Sequence, residues 1–457
     1  MMGSLQDDSI SVIMVPFPAQ GHLNQMLQLS CLISSFGIPV HYAGSPVFNR
    51  QVRLRVNALN PTDVQKINFQ DLSFSAFASL PPVPDPSTKF PGHLQPAWDA
   101  AMSMAGPLGD LMRSLALKHR RVIVIHDPLI ASVVKDVATI PNAESYAFIC
   151  ISAFCQIKFL FELLGIFCPV QRLRELPPIS DTISRELYSF IGLQDEGMAL
   201  RSGDIINTSR SIEGPFLDIL ESKEIAGDVK SWAIGPMIPT KPSLNPRHQI
   251  LDWLDKQSPK SVIFVSFGTT TSLTNHEVQV VAEGLERSGH KFIWVLREAD
   301  KSNVFDGEAR RIELPAGFEE RVKERGVVVR EWAPQPEILA HPSTGGFMSH
   351  CGWNSCNESI KMGVPIAAWP MHSDQPTNAV FVTEVLRVGL PVRKWGEVVT
   401  AEMVDDAVRR LIASEEGDEI RKRAEEMAAV VHGATEPGGA SRLELDAFIA
   451  HIKRLHL

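Results

Sequence analysis

At 457 residues the chain is longer than one ordinary hydrophobic core can serve, so two domains of about 200 residues each are expected. Hydrophobic residues at 44% and charged residues at 21% exclude a disordered chain, and a net charge of −9 excludes nucleic acid as a partner because the basic footprint is missing. Any anionic ligand must therefore be held by local features against an unfavourable overall field.

In chain order, "MMGSLQDDSISVIMVPFPAQG" places two acids ahead of its apolar run and shows no small-residue cleavage site, so it does not read as a secretory signal. "SVIMVPF" (11–17) predicts a strand, a helical pattern follows from about Gly21 to Phe36, and "IPVHYAG" predicts the next strand. "LPPVPDPSTKFPGHLQP" (80–96) is too long for a tight turn and reads as a lid or binding loop. "RVIVIHD" (121–127) is a strand that ends in a polar pair. "FICISAFCQIKFLFELLG" (148–165) suits the wall of a pocket for a flat apolar molecule, and equally a plain core or surface helix. "GPMIPTKPSLNPRHQ" (235–249), with four prolines and no periodicity, is a linker.

The second half repeats the rhythm: "SVIFVSFG" (261–268), a helix near 275–289, "KFIWVL", "GVVVREW", "TGGFMSH" and "VPIAAWP". Short runs of Val, Ile and Phe without alternation suit strands buried on both faces, and strand–helix repetition predicts parallel sheets. The expectation is two Rossmann-like domains facing across a cleft, an α/β architecture. An N-terminal acceptor-binding domain would span 1–234, a linker 235–250 and a C-terminal domain 251–437. A last helix in 438–457 would pack back on the N-terminal domain.

No window approaches 18 uninterrupted apolar residues, so no membrane span is expected. The six cysteines show no disulfide framework, and His350, Cys351 and Cys356 lack the second pair of ligands a zinc site needs. A cytosolic monomer with reduced thiols and no metal is the expectation. Asn207-Thr208-Ser209 and Asn357-Glu358-Ser359 match the glycosylation pattern by chance.

In open parallel sheets, ligands bind beyond the carboxyl ends of the strands. Four such ends in the second half carry glycine or polar residues: Gly268 with Thr269 to Thr271, Trp332 with Ala333 and Gln335, "GGFMSHCGWNSCNES", and Asp374-Gln375. A helix starting near Trp353 presents free N–H groups and the positive end of its dipole. His350, Asn354 and Ser355 add neutral donors there, so a diphosphate can be held without lysine. Simple capping by Asn354 or Ser355 would explain one residue but not the cluster. Glu358, one turn on, can accept hydrogen bonds from ribose hydroxyls, or merely compensate the dipole. In the first half, His22 follows the first strand and Asp127 ends another. A carboxylate beside an imidazole fixes its tautomer and stabilises the imidazolium. His126 alternates to the opposite face.

From Trp332 to Gln375 the sequence resembles the 44-residue signature box of plant family 1 UDP-sugar-dependent glycosyltransferases, through the tryptophan opening, "HCGWNS", the following glutamate and the "DQ" ending. "PFPAQGHLNQ" and "VSFGT" extend the resemblance over the whole chain. It implies the GT-B fold, with the donor bound mainly by the second domain and no cofactor or metal. It further implies that Trp332 stacks on uracil, that Ala333 contacts the base through its backbone and that Gln335 lies near the ribose. His350, Asn354 and Ser355, helped by Thr269 or a neighbouring threonine beside Gly268, would hold the diphosphate. Glu358 would take the ribose, while Trp353, Asp374 and Gln375 face the sugar. The closing glutamine resembles glucose users. Ser349, where threonine is common, and "SCNES" depart from the pattern without removing a named contact. His22 and Asp127 fall at the family's catalytic pair.

"VPFPAQGHLNQ", "VHYAG" and "MHSDQP" look most like the zeatin O-glucosyltransferase branch. The expected activity is inverting transfer of glucose from UDP-glucose to a small apolar acceptor, a cytokinin such as zeatin or a flavonoid or other phenolic, with His22 as general base. C-glycosylation of an activated aromatic carbon stays open, since the same histidine and donor would serve. A NAD(P)-dependent oxidoreductase would need a GxGxxG turn that "PFPAQGH" does not supply, and a non-catalytic UDP-sugar-binding protein would not need both His22 and Asp127.

Overall fold

Runs of Val, Ile and Phe that lose both faces to packing build two separate parallel sheets in the computed structural model, which describes residues 7–56, 59–83, 90–238, 247–307 and 310–455. The first sheet holds β1 (Asp7–Val15), β2 (Val40–Gly44), β3 (Asn68–Asp71), β4 (His119–His126), β5 (Ala143–Ile149), β6 (Gly203–Ile206) and β7 (Lys230–Ala233) in the order β3-β2-β1-β4-β5-β6-β7. The second holds β8 (Val262–Ser266), β9 (Lys291–Val295), β10 (Gly326–Val329), β11 (Thr344–Ser349), β12 (Ile366–Ala368) and β13 (Gly389–Pro391) in the order β10-β9-β8-β11-β12-β13.

Both sheets reverse their winding direction once, between β1 and β4 and between β8 and β11. At such a reversal the neighbouring connections leave toward opposite faces and open a crevice. The register fixes what lines it: Val15 pairs with His126 at one switch point, and Ser266 pairs with Ser349 at the other.

Seven helices matter for the site and its support: α1 (Gln20–Ser34), α2 (Pro46–Leu54), α3 (Ala153–Leu164), α4 (Trp353–Met362), α5 (Gln375–Val380), α6 (Glu415–Thr435) and α7 (Ala440–Lys453). The region 148–165 divides where Ser152 caps α3 through the Cys155 N–H; its first two residues complete β5. β5 escapes an apolar-run reading because Glu144 and Ser145 interrupt it. Glu144 is buried only because Arg121 and Arg454 pair with it, the latter at 2.7 Å.

α7 lays Leu445, Phe448, Ile449 and Ile452 into the core of the first sheet, with Phe448 edge-on to Tyr146 and Trp232. Within the proline-rich loop 80–96, residues 84–89 lie outside the described residues, as do 239–246 of the linker. The six cysteines are free thiols, and Asn207 and Asn357 of the two glycosylation patterns are 3% and 1% exposed, out of reach of any glycan machinery in the folded chain.

Candidate functional site

The turn 16–19 carries the chain from β1 into α1 and sets His22 in the helix's first turn. Asp127 leaves β4 next door, where its N–H donates to the Val15 carbonyl at 3.0 Å. Two adjacent strand ends therefore bring the pair together: His22 Nδ1 donates to Asp127 Oδ2 at 2.6 Å, and the Leu129 N–H donates to Oδ1 at 2.9 Å. Because a carboxylate only accepts, Nδ1 carries the proton and Nε2 is left basic toward the cleft. Burial pulls the imidazole pKa down, but the charge of Asp127, its hydrogen bond and the charge of Asp374 outweigh it, and the net shift is upward. His126 turns away and is buried.

His22, Asp127 and Cys150 place potential ligand atoms within 4.8 Å of one another. The first two satisfy each other, and burial pushes the Cys150 thiol pKa far up, so it stays protonated.

Opposite this pair, Cys351 takes a left-handed φ of 65° and turns the chain from β11 into α4, which begins at Trp353. His350 is clamped between two glycines: a Cβ on Gly268 or on Gly352 would lie 2.6 Å from its Nε2. Gly268 also has φ +79°, so the close approach and the backbone both demand glycine. Burial brings the His350 pKa down to about 4, keeping the ring neutral, and its Nδ1 has no partner. A buried ring nitrogen without a partner is uncommon and marks this ring as one whose polar capacity is not spent within the protein.

Ser355 Oγ and Glu358 Oε2 both accept from Gln335 Nε2, at 3.0 and 2.7 Å. Burial raises the Glu358 pKa to about 7. Ala333 is 9% exposed and its carbonyl accepts from the Gln335 N–H. Thr269 gives its carbonyl to the Asp300 N–H at 2.7 Å. Asp374 is half-buried, accepts from Asn378 Nδ2 at 2.6 Å, and is approached by the Trp353 backbone N–H. The Gln375 side-chain Oε1 accepts from the backbone N–H groups of Met371 and His372 at 2.9 and 3.1 Å, which turns its amide nitrogen toward the His372 ring.

One expectation needs correction. The Trp353 indole does not face the cleft: it is 2% exposed, packs near Phe381, and its Nε1 donates to the Asn207 carbonyl at 2.9 Å. A ring of this size gains more from burial than from a polar cleft, and its backbone N–H is directed at Asp374. Asn354 Nδ2 gives one of its two hydrogens to the Gly21 carbonyl at 2.9 Å, one residue from His22, and the residue still lines the cavity.

Sequence reasoning passed over several residues that hold the two halves together. Asn207 accepts from Trp353 and Asn357 and donates to Gln25 at 2.6 Å. Ser152, the cap of α3, donates to Asn378 Oδ1 at 2.8 Å and so braces Asp374 from the other domain. His372 accepts from Thr271 at 2.6 Å and, with its pKa near 3 through burial, stays neutral. Only "WPMHSDQ" and the buried sequon asparagine gave any signal for these.

Both halves face one cavity of about 610 Å³. On the side of His22 its walls are apolar, with Phe17, Phe90, Trp98, Phe159, Ile183 and Leu187. On the other side lie Gly268, Trp332, Gln335, His350, Glu358 and Gln375. An apolar chamber thus meets a polar cradle at an imidazole base.

Residues 8–239 match the family model described as glycosyltransferase, N-terminal domain, and residues 240–422 match that of UDP-glucoronosyl and UDP-glucosyl transferase. The chain is 50% identical to a zeatin O-glucosyltransferase of Phaseolus lunatus over 98% of each chain. It is 47% identical to a zeatin O-xylosyltransferase of Phaseolus vulgaris over 99% of this chain and 100% of the relative. Its fold is similar to that of Phytolacca americana UGT2 complexed with UDP-2-fluoro-glucose and pterostilbene, with TM-score 0.78 and 26% identity over 98% of this chain and 100% of that one. A transferase from Siraitia grosvenorii in complex with UDP superposes with TM-score 0.75 at 26% identity, covering 98% and 100%.

Proposed function

The chain belongs to the UDP-glucosyl transferase family, and from that premise we propose that it transfers glucose from UDP-glucose to a hydroxyl on the side chain of an N6-substituted adenine of the zeatin type. The enzyme class follows from family membership. The acceptor is supported by the similarity to a zeatin O-glucosyltransferase and a zeatin O-xylosyltransferase, at 50% and 47% identity, and by the apolar side of a cavity of about 610 Å³.

The observation that carries the mechanism is the His22–Asp127 pair at 2.6 Å, facing a helix N-terminus across one cavity. His22 Nε2 takes the proton of the acceptor hydroxyl as its oxygen attacks the anomeric carbon. Attack comes from the face opposite UDP, so the α-linked donor yields a β-glucoside through an oxocarbenium-like state. Asp127 holds the ring and stabilises the imidazolium. Charge growing on the departing diphosphate meets the first N–H groups of α4, His350 and Ser355, which are already oriented. Trp332 stacks on the uracil, Ala333 meets it through its N–H, and Glu358 and Gln335 hold the ribose. Asp374 and Gln375 hold the sugar hydroxyls. No metal enters this scheme: the neutral donors and the helix dipole supply what a cation would. We place the protein in the cytosol as a monomer; the free thiols support the first, and no described helix is long and apolar enough to cross a membrane.

The test is mass spectrometry of products from UDP-glucose offered with zeatin isomers and a panel of flavonols and simple phenols. A hexose added to zeatin, lost as a neutral fragment and labile to β-glucosidase, is the expected result. Transfer only to phenolics would move the acceptor reading to flavonoids, and a product resistant to O-glycoside cleavage would make it a C-glycoside.

A further inference from the structure

One cluster at the uracil end of the cleft is built from both domains. Arg55, just past the end of α2 in the first domain, reaches across to Asp300 in the loop after β9. Nη1 donates to Oδ2 at 2.5 Å and Nη2 to Oδ1 at 3.1 Å, a bidentate pair whose side chains are 17% and 9% exposed. Arg297 donates to the same carboxylate from the second domain. The Arg55 guanidinium also lies 4.9 Å from the centre of the Trp332 ring, with that of Arg297 at 5.7 Å.

The partners of this cluster lead into the machinery on both sides. Arg55 Nη1 donates to Gln20 Oε1 at 3.1 Å, and Gln20 opens α1 two residues before His22. The Asp300 N–H donates to the Thr269 carbonyl at 2.7 Å, beside Gly268, and the Asp300 carbonyl accepts from His93 of the first domain at 2.9 Å. One guanidinium thus touches the helix of the base and the ring expected under the nucleotide base, and it reaches the loop of the diphosphate cradle through Asp300.

We propose that Arg55 is a positioning residue contributed by the first domain to the donor site: paired with Asp300 and lying on Trp332, it sets the indole for the nucleotide base. The proposal rests on the donor reading above. A planar, five-donor fork is required, since lysine can neither chelate both carboxylate oxygens nor lie flat on an indole. Exposure of the pair is low but not zero, so added salt weakens it.

Calorimetry of UDP binding together with steady-state kinetics tests it, on the full chain. Wild-type protein that fails to bind UDP would overturn the donor reading before any variant is made. If it binds, Arg55→Met is expected to raise the UDP Kd and the KM for UDP-glucose about tenfold, a loss of about 1.4 kcal/mol. kcat should stay within about threefold and the acceptor KM should not move, a split that general loosening of the fold would not give. Asp300→Asn should do the same, and combining the two should add little, because they act as one unit. Arg55→Lys, which keeps the charge, should recover less than half of the lost affinity and also covers the case in which the methionine variant does not fold. Unchanged UDP affinity in Arg55→Met, fully additive losses, or full recovery with lysine would each overturn the proposal. Tighter UDP binding would overturn it too, since Arg55 would then occupy the face the base needs.

Discussion

A histidine acts as a base only while its ring is neutral, so the sign of its pKa shift decides where activity fails. At His22, burial alone would favour the neutral ring, but the charge of Asp127, its hydrogen bond and the charge of Asp374 favour the imidazolium more, and the pKa rises. kcat/KM should therefore fall on the acid side with a midpoint above that of an ordinary histidine, the protonated ring being inactive. Asp127→Asn removes the largest raising influence, so the limb should move to lower pH while the rate at neutral pH drops. Loss of the stabilised imidazolium and of the fixed tautomer accounts for that drop, about 10²-fold or more. His22→Ala should lose about 10²–10⁴-fold with UDP still bound. A pH–rate profile of the three proteins settles the matter; an acid limb that stays in place in Asp127→Asn would remove the coupling argued here.

At the scale of elements, the diphosphate cradle depends on two glycines as much as on its donors. Gly268 follows β8 at φ +79°, and a Cβ there would stand 2.6 Å from His350 Nε2. Gly268→Ala must either move the ring or distort a turn that side chains avoid, and strain of this kind costs of order 1–3 kcal/mol. UDP affinity should fall about tenfold or more, a loss of 1.4 kcal/mol per decade, while the thermal midpoint changes by a few degrees; equal affinity in a binding titration would show that His350 has no part in holding the ligand. How much of this was legible in the sequence follows from the same physics. β1, β4 and β8 carry apolar runs, β11 carries a short Gly-Gly-Phe-Met stretch, and the turns that follow them sit at the two switch points, so the regions of His22, Asp127, Gly268 and His350 could be placed from pattern alone. β6 and β13, of four and three residues, are too short to show a pattern, and the polar Glu144–Ser145 step in β5 hides it. Side-chain direction was the harder quantity. Nothing in "HCGWNS" says that the indole turns inward to Asn207 or that Asn354 reaches Gly21, because both partners lie in the other domain, 146 and 333 residues away.

Over the whole molecule, the chain crosses back: after the second sheet is complete, α6 packs on α4 and α7 returns to the first sheet. The return is anchored by apolar burial and by charge. Phe448 is fully buried between Tyr146 and Trp232, and Arg454, at the helix end, donates to the otherwise buried Glu144 at 2.7 Å. The last helix thus closes the edge of a domain whose own chain ended more than 200 residues earlier, and it resists separation of the two halves while the cleft works. Phe448→Ala leaves a cavity between two aromatic rings, and substitutions of this kind cost about 3–5 kcal/mol. The two domains need not unfold together, so denaturation should be followed by more than one probe. Urea unfolding watched through far-UV circular dichroism should show the transition of the first-sheet domain at clearly lower denaturant. The transition that UDP protects, which belongs to the second sheet through its ligand, should move little, and UDP affinity should stay near the wild-type value. If both transitions shift by the same amount, the domains unfold as one unit and α7 stabilises the whole molecule rather than the half it packs on.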